Sequence, residues 1–275
     1  MALGTSLPEL VVSVHAVFSG YPGIVVGNVV GSNIANVFLV AGVSSIVYPL
    51  AYPGDTVRRD STVMVGATLF FIFLCLYGEL SRTAGLALLI GLVLVLIPTL
   101  REVAQAHKDA DGKPPPVEVL GVPTQRRFIS LFIIMGIVGL PLGAHYVVEG
   151  TVDIAFRLGV SEAVVGLSIV AFATSLPELA TTAVAAYRRE TEVAIGTIIG
   201  SNVFNILAIM GVAAVASSRT IEVPESFPYL DLPVMLLAAV VTTGFVLLRK
   251  AIGRAAGITF TAAYLAYIAI LFVLS

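Results

Sequence analysis

The sequence comprises 275 residues, of which 58% are hydrophobic and only 12% are charged. Soluble domains carry about 25% charged residues, so this composition excludes a soluble globular protein and places the chain in a lipid bilayer. The formal net charge of −2 and the single cysteine, Cys75, exclude a basic surface for nucleic acid, a disulfide framework and a cysteine-based metal site.

Apolar segments follow one another along the chain, and all but the first are long enough to cross a bilayer, which takes about 17 to 25 residues. The segments cover residues 1–19, 23–49, 61–78, 83–100, 127–149, 160–187, 193–218, 230–248 and 255–274. The first starts abruptly at Met1 without the features of a signal peptide, and we interpret it as the remaining part of a helix. The predicted fold is all-α, a polytopic membrane protein with about nine segments.

The longest connection divides the chain near its midpoint. It contains the stretch KDADGKPPP, in which adjacent prolines among charged residues exclude both helix and sheet. We therefore predict a first half over residues 1–103, a linker over residues 104–126 and a second half over residues 127–275.

The positive charges predict how the chain is oriented in the membrane. If the segments cross in turn, three of the fifteen Lys and Arg residues, Arg82, Arg157 and Arg219, lie on one side and the others on the opposite side. The more positive side is expected to be cytoplasmic because positively charged loops remain inside. This predicts a multi-pass protein of the plasma (inner) membrane with a cytoplasmic linker and an external C-terminus.

The two halves share a repeated sequence. TSLPEL occurs at residues 5–10 and again at 174–179, and GNVVGSNIAN at 27–36 matches GTIIGSNVFN at 196–205 in the same register. We interpret this similarity as a duplication. Because an odd number of spans separates the copies, they enter the membrane in opposite directions. Such inverted repeats are typical of secondary transporters, which bind substrate near the membrane midplane.

Each TSLPEL copy predicts an interrupted helix. Pro8 and Pro177 have no amide hydrogen, and their rings crowd the carbonyl groups four residues earlier, those of Gly4 and Ala173. A carbonyl freed at membrane depth needs another partner, and a cation or a water molecule is suitable.

Glu9 and Glu178 are the only acidic residues placed well inside the apolar segments. A charged carboxylate in a membrane is costly, and such groups usually face a cavity and mark an ion pathway. A structural ion pair is the alternative, but no Lys or Arg lies in the middle of a segment. Two neighbouring carboxylates repel unless protons or a divalent cation neutralise them, and one Ca²⁺ ion neutralises both.

Polar oxygens accompany both glutamates in the repeated motifs, and they extend the predicted metal site. They belong to Thr5, Ser6, Ser32, Asn36, Thr174, Ser175, Ser201 and Asn205. A set of oxygen ligands without His or Cys favours Na⁺, Ca²⁺ or Mg²⁺ over zinc or copper. The alternative is that these side chains only form hydrogen bonds between helices.

No nucleotide-binding loop or catalytic nucleophile is visible, so we predict a transporter driven by an ion gradient, not an enzyme, with no cofactor and no nucleotide partner. His15 is predicted to be a packed or lumen-facing histidine rather than a proton carrier. His145 and Glu149 are predicted to pair locally at a helix end, and Asp153 and Glu162 to be solvated charges.

At these motifs the sequence closely resembles the sodium/calcium exchanger family of the cation/Ca²⁺ antiporter superfamily. The resemblance rests on GTSLPEL with GNVVGSNIAN, followed by ATSLPEL with GTIIGSNVFN. It implies inverted five-helix repeats in a ten-helix plan and electrogenic exchange of Na⁺ for Ca²⁺ by alternating access, with the two glutamates at the centre. It further implies ligand roles for the Thr and Ser residues already named and for the backbone carbonyls of Ala2 and Ala171.

The sequence departs from the family pattern in two respects. The family plan begins with a helix absent here and a longer second helix, so we expect an N-terminally truncated chain. In the family, that first helix and its repeat mate, here residues 127–149, are thought to slide as the gate. Asn36 and Asn205 are both amides, whereas some members place an aspartate at the second position, which puts K⁺ dependence in question.

A H⁺/Ca²⁺ exchanger, a cation channel and a non-transporting fragment are the alternatives to a Na⁺/Ca²⁺ antiporter.

Overall fold

The computed structural model describes residues 2–51, 54–109 and 126–274. Its elements up to the midpoint are α1 (Ala2–Thr5), α2 (Leu7–Phe18), α3 (Pro22–Ala35), π1 (Asn36–Ala41), α4 (Gly42–Val47), α5 (Asp55–Cys75), β1 (Glu79–Leu80) and α6 (Arg82–Asp109). Helices occur in every apolar segment of the sequence, which confirms a mostly helical fold.

The second part of the chain repeats the broken helix and the helix with a π-helical turn, but its strand precedes the last two helices instead of lying between them. It contains α7 (Arg126–Leu158), α8 (Glu162–Val165), π2 (Gly166–Val170), α9 (Ala171–Thr174), α10 (Leu176–Tyr187), α11 (Thr191–Phe204), π3 (Asn205–Ile209), α12 (Met210–Ala216), β2 (Ile221–Glu222), α13 (Asp231–Leu247) and α14 (Arg254–Leu274).

Several helices are suited to a lipid environment. Within the described residues, five are long and apolar enough to cross a membrane, and a sixth results if the bent helix Glu162–Tyr187 counts as one. The five are Pro22–Val47, Arg82–Arg101, Ile129–Leu158, Thr191–Ala216 and Arg254–Leu274. The helices α2 and α13 are apolar but shorter. The total number of membrane crossings stays a prediction.

Some helix boundaries differ from the prediction. Helix α7 continues to Leu158 instead of ending at residue 149, and it stops at Gly159, whose positive φ of 68° suits glycine. The prediction ended this helix too early because its last turns contain charged residues, and hydropathy does not distinguish a polar helix end from a loop. Helix α6 continues to Asp109, past the predicted start of the linker. Residues 110–125, with the proline-rich stretch, lie outside the described residues.

Both TSLPEL copies interrupt a helix, as predicted. The break falls at Ser6 between α1 and α2, and at Ser175 between α9 and α10. In the second copy the two parts are bent by 43°. The breaks immediately precede the Leu-Pro pair, because a proline is tolerated in the first turn of a helix but not in its interior.

A widened π-helical turn begins at Asn36 and another at Asn205, the last residue of each GSNxxN motif. A π-helical turn carries one extra residue and is frequent at functional sites. Equivalent residues of the two halves therefore occupy equivalent irregularities, in agreement with the internal duplication.

Short antiparallel pairings tie the two halves together outside the helices. Leu80 of β1 pairs with Ile221 of β2, and Leu50 forms an isolated bridge with Ile252. All four side chains are almost completely buried. Each pairing joins a connection of the first half to one of the second half.

The continuous helix of α3, π1 and α4 forms the centre of the core, and its most apolar stretch is buried on all sides. This agrees with the expectation that a helix apolar all round is enclosed by other elements.

Two glycines bring α3 into backbone contact with the segment α8–π2. A Cβ atom at Gly27 would overlap the carbonyl oxygen of Ala163, and one at Gly31 would overlap that of Leu167.

We expect Gly31→Ala to destabilise the protein by about 1–3 kcal/mol, because the added methyl group meets backbone that cannot rotate away. The measurement is the midpoint of thermal unfolding in detergent. Gly66→Ala is the matched control, since Gly66 is exposed on α5 and no atom lies within 4 Å of its Cβ position. An equal midpoint for the two variants would contradict this account of the α3 contact.

Candidate ion-binding site

The two predicted glutamates are held in the first turn of α2 and of α10, directly after the helix breaks. Each is only 1% exposed, and Ser6, three residues before Glu9, donates to Glu178, so the two helix starts meet and charging both carboxylates is costly. The positive ends of the two helix dipoles lie next to them and offset part of that cost. The structure thus brings together two acidic groups that lie far apart in the sequence.

Several oxygen atoms around this point are buried without a hydrogen-bond partner among the described residues. In the described part of the chain, no hydrogen bond reaches Oε1 or Oε2 of Glu9, Oε2 of Glu178, Oγ of Ser175, or Oδ1 of Asn36 and Asn205. Buried polar atoms are nearly always hydrogen-bonded, so this concentration of unpartnered oxygens indicates a ligand. A cation that takes six to eight oxygen ligands, such as Ca²⁺, fits this chemistry.

Hydroxyl groups donate hydrogen bonds to Glu178, whereas no described residue donates one to the carboxylate of Glu9. Ser6 Oγ donates to Glu178 Oε1 over 2.9 Å, from the opposite half of the chain, and Ser201 Oγ donates to the same oxygen over 3.4 Å. Thr5 is a further hydrogen-bonding neighbour of Glu178. The predicted residues Thr5, Ser6 and Ser201 are therefore assembled at one carboxylate.

The two asparagines that begin the π-helical turns are fully buried. Asn36 Nδ2 donates to Asn202 Oδ1 over 3.0 Å, across the two halves, and leaves its own Oδ1 without a partner in the described residues. For the side chain of Asn205, neither the nitrogen nor the oxygen has a hydrogen-bond partner there.

The remaining hydroxyls meet on the side of the site formed by α3 and α9. Ser32 Oγ and Thr174 Oγ1 are 3.5 Å apart, and both lie within hydrogen-bond distance of Asn28 Oδ1. The carbonyl of Ala171 accepts from the amide of Ser175 over 3.0 Å. The backbone of Ala2 belongs to α1. The ligand roles of all these residues stay predictions.

Asn28 and Asn202 are buried polar residues of this region that the sequence analysis missed. Both belong to the repeated stretches, and Asn28 precedes Ser32 by four residues, which places the two on one helix face. That spacing was a signal available in the sequence. Its importance was hidden because the repeat mate of Asn28 is Thr197, so symmetry did not select it.

The other candidate residues lie elsewhere. His15 contacts His145 edge to face, with ring centroids 5.5 Å apart, and both line a separate cavity of about 670 Å³. His145 and Glu149 pair over 3.4 Å, as predicted for a local helical pair. Asp153 accepts from Arg157 over 2.8 Å on the exposed end of α7. Among the described residues, no group of three His, Cys, Asp or Glu side chains is placed to hold a metal ion.

The sequence also matches the family model described as sodium/calcium exchanger protein, over residues 1–100 and 128–273. The chain belongs to this family. It is a membrane protein, and its family and structural relatives indicate a cation/Ca²⁺ antiporter.

Similar proteins cover almost the whole chain. The inner membrane protein YrbG of Escherichia coli is 31% identical over 100% of this chain and 85% of its own length. The sodium/calcium exchanger MaX1 of Methanosarcina acetivorans is 30% identical over 99% of this chain and 87% of its own length. A solved structure of the sodium-calcium exchanger NCX_Mj, soaked with Na⁺ and Sr²⁺, is 32% identical and superposes with a TM-score of 0.68, covering 98% of this chain and 84% of that one.

We expect Glu9→Gln and Glu178→Gln each to weaken Ca²⁺ binding at least about 100-fold. An amide is neutral, so the substitution removes the charge attraction between a carboxylate and a divalent ion. Calorimetric titration of the purified protein with Ca²⁺ measures this. Asp153→Asn serves as the control, since Asp153 is exposed and paired with Arg157. Unchanged affinity in both glutamine variants would remove these residues from the site.

Proposed function

We propose that the protein exchanges Na⁺ for Ca²⁺ across the membrane by alternating access. The observation that carries this proposal is the pair of buried glutamates, one from each half, with unpartnered oxygens between the helices that hold them. Two neighbouring carboxylates in a membrane require positive charge nearby, and either one Ca²⁺ ion or several Na⁺ ions supply it. Because both cations use the same oxygens, one excludes the other, and this competition couples their movements.

The duplicated irregularities support an inverted repeat around this site. A helix break and a π-helical turn occur at equivalent positions of the two halves, and the predicted site residues lie next to them. We propose that the halves enter the membrane in opposite directions, that the linker is cytoplasmic and that the C-terminus is external, as the distribution of Lys and Arg predicts. Helix α7, which packs against α2, is the proposed gate element.

A H⁺/Ca²⁺ exchanger is the second candidate. The observation that favours it is the presence of amides at both Asn36 and Asn205, which leaves two carboxylates that two protons could neutralise. The names of MaX1 and NCX_Mj, both sodium/calcium exchangers, favour Na⁺ instead.

Ion uptake into proteoliposomes tests the proposal. Vesicles containing the purified protein and loaded with Na⁺ are diluted into Na⁺-free buffer with radioactive Ca²⁺. We expect Ca²⁺ to accumulate against its own gradient, because outward movement of Na⁺ drives its entry. Vesicles without a Na⁺ gradient, and vesicles containing Glu178→Gln, are the controls and should not accumulate Ca²⁺.

A second series, with an imposed pH gradient and no Na⁺, separates the alternatives. Accumulation that follows the pH gradient and ignores Na⁺ would replace Na⁺ by H⁺ as the coupling ion. Ca²⁺ flux that only runs down its gradient would indicate a channel. Ca²⁺ binding without flux would indicate a non-transporting fragment.

A further inference from the structure

Each GSNxxN motif contains a first asparagine that is not among the predicted ligands. It is Asn33 in the first half and Asn202 in the second, and the two are repeat mates. Both are buried, with 2% of each residue exposed. The second asparagine of each motif, Asn36 or Asn205, begins a π-helical turn and is a predicted ligand. The two halves therefore carry equivalent pairs of amides next to the candidate site.

Asn202 holds Asn36 across the two halves. Its Oδ1 accepts from Asn36 Nδ2 over 3.0 Å, and its own Nδ2 donates to the backbone carbonyl of Asn33 over 3.4 Å. That carbonyl can only accept a hydrogen bond, so the orientation of the Asn202 amide is fixed. Because the NH₂ group of Asn36 faces Asn202, the ligand oxygen Oδ1 of Asn36 is turned to the other side of its amide.

The equivalent bond of the opposite half is not made. By the repeat, Asn205 would donate to Oδ1 of Asn33, yet Nδ2 of Asn205 and Oδ1 of Asn33 are both buried without a partner among the described residues. Asn33 Nδ2 donates instead to the carbonyl of Val29 in its own helix over 2.7 Å. Buried polar atoms without a partner are rare, and this donor and this acceptor are the repeat mates of a bonded pair.

The packing of the central helices is equivalent on both sides. Helix α3 contacts π3, and helix α11 contacts π1, which is the same contact exchanged between the halves. The side chain of Asn202 reaches the backbone of Asn33, so the two repeat mates lie where the central helices meet. To form the missing bond, Asn33 must release the carbonyl of Val29 and turn toward π3.

Inverted repeats give this difference a meaning for transport. If the two halves exchange their conformations, a protein open to one membrane face becomes a protein open to the opposite face. A hydrogen bond that one half makes and the other lacks then changes sides in the same step. The bonded and the unbonded pair are the two ends of such an exchange.

We propose that Asn202 and Asn33 are positioning residues that orient the ligand amides of Asn36 and Asn205 in alternation. Asn36 is bonded to Asn202 in this conformation, and Asn205 is bonded to Asn33 in the conformation open to the opposite face. This inference rests on the proposed exchange by alternating access. Because one bond forms as its equivalent breaks, the two conformations stay close in free energy and both remain populated.

Ca²⁺ uptake measured separately at the two membrane faces tests the proposal. Right-side-out and inverted vesicles from the same expressing cells give one KM for Ca²⁺ at each face. In Asn202→Ala we expect KM to rise about fivefold at one face, the factor typical of one buried hydrogen bond, because Asn36 loses its partner in the conformation open there. In Asn33→Ala, KM should rise by a similar factor at the opposite face.

Thr197→Val is the matched control, because Thr197 is buried in α11 like Asn202 and its hydroxyl donates to the carbonyl of Val193 in its own helix over 2.8 Å. It should leave both KM values unchanged. An increase at the same face in Asn33→Ala and Asn202→Ala would overturn the proposal.

Asn33→Ala is the sharper variant, and it decides the matter by itself if Asn202→Ala does not fold. In this conformation the side chain of Asn33 bonds only within its own helix among the described residues, so a structural role predicts equal changes at both faces or none. A KM that rises at one face supports the alternation. Unchanged KM values at both faces for the folded variant, judged by its elution as a single species from size exclusion, would overturn it.

The double variant Asn33→Ala/Asn202→Ala loses one bond in each conformation. The ratio of the two KM values should therefore return to within about twofold of the wild-type ratio. A ratio that stays at the value of either single variant would contradict the alternation. Wild-type vesicles are measured in parallel. Absence of Na⁺-driven uptake by the wild type would overturn the exchange function itself, whereas wild-type uptake with an unchanged ratio in both single variants would overturn only the alternation.

Discussion

The burial of two carboxylates next to each other is the constraint on which the rest of this structure depends. Removing Glu9 and Glu178 from water while they repel each other is unfavourable, and the protein supplies no Lys or Arg in the middle of an apolar segment to compensate. Helix ends and hydroxyl groups offset part of this cost, and we propose that the transported cation offsets the remainder. Under the proposed exchange function, the site with both carboxylates charged is stable only with its ion bound.

The helices are irregular at the candidate site, where polar atoms must be free to bind an ion. The breaks at Ser6 and Ser175 bring helix N-termini to the glutamates, and the π-helical turns at Asn36 and Asn205 follow the other predicted ligands. In a bilayer such departures are tolerated only where the backbone is enclosed by protein or lines a cavity. The π-helical turns at Asn36 and Asn205 meet this condition, since all of their residues are buried.

The duplicated halves are alike in backbone but not in hydrogen bonding. Thr197 satisfies its hydroxyl within its own helix, whereas Asn28 reaches two other helices. The two carboxylates differ as well, since Ser6 and Ser201 donate to Glu178 while no described residue donates to the carboxylate of Glu9.

The sequence by itself determined the membrane environment, the mostly helical fold, the duplication and the helix breaks, because hydropathy, repetition and proline act locally. It also selected Glu9 and Glu178, since a carboxylate in an apolar segment needs a special reason to be there. The sequence did not determine the extension of α7 to Leu158, because a polar helix end resembles a loop. Only the tertiary structure decided that Ser6 donates to Glu178 and that Asn28 links three helices. Those contacts join residues that are distant in the chain, and their hydrogen-bond partners are set by helix packing rather than by local sequence.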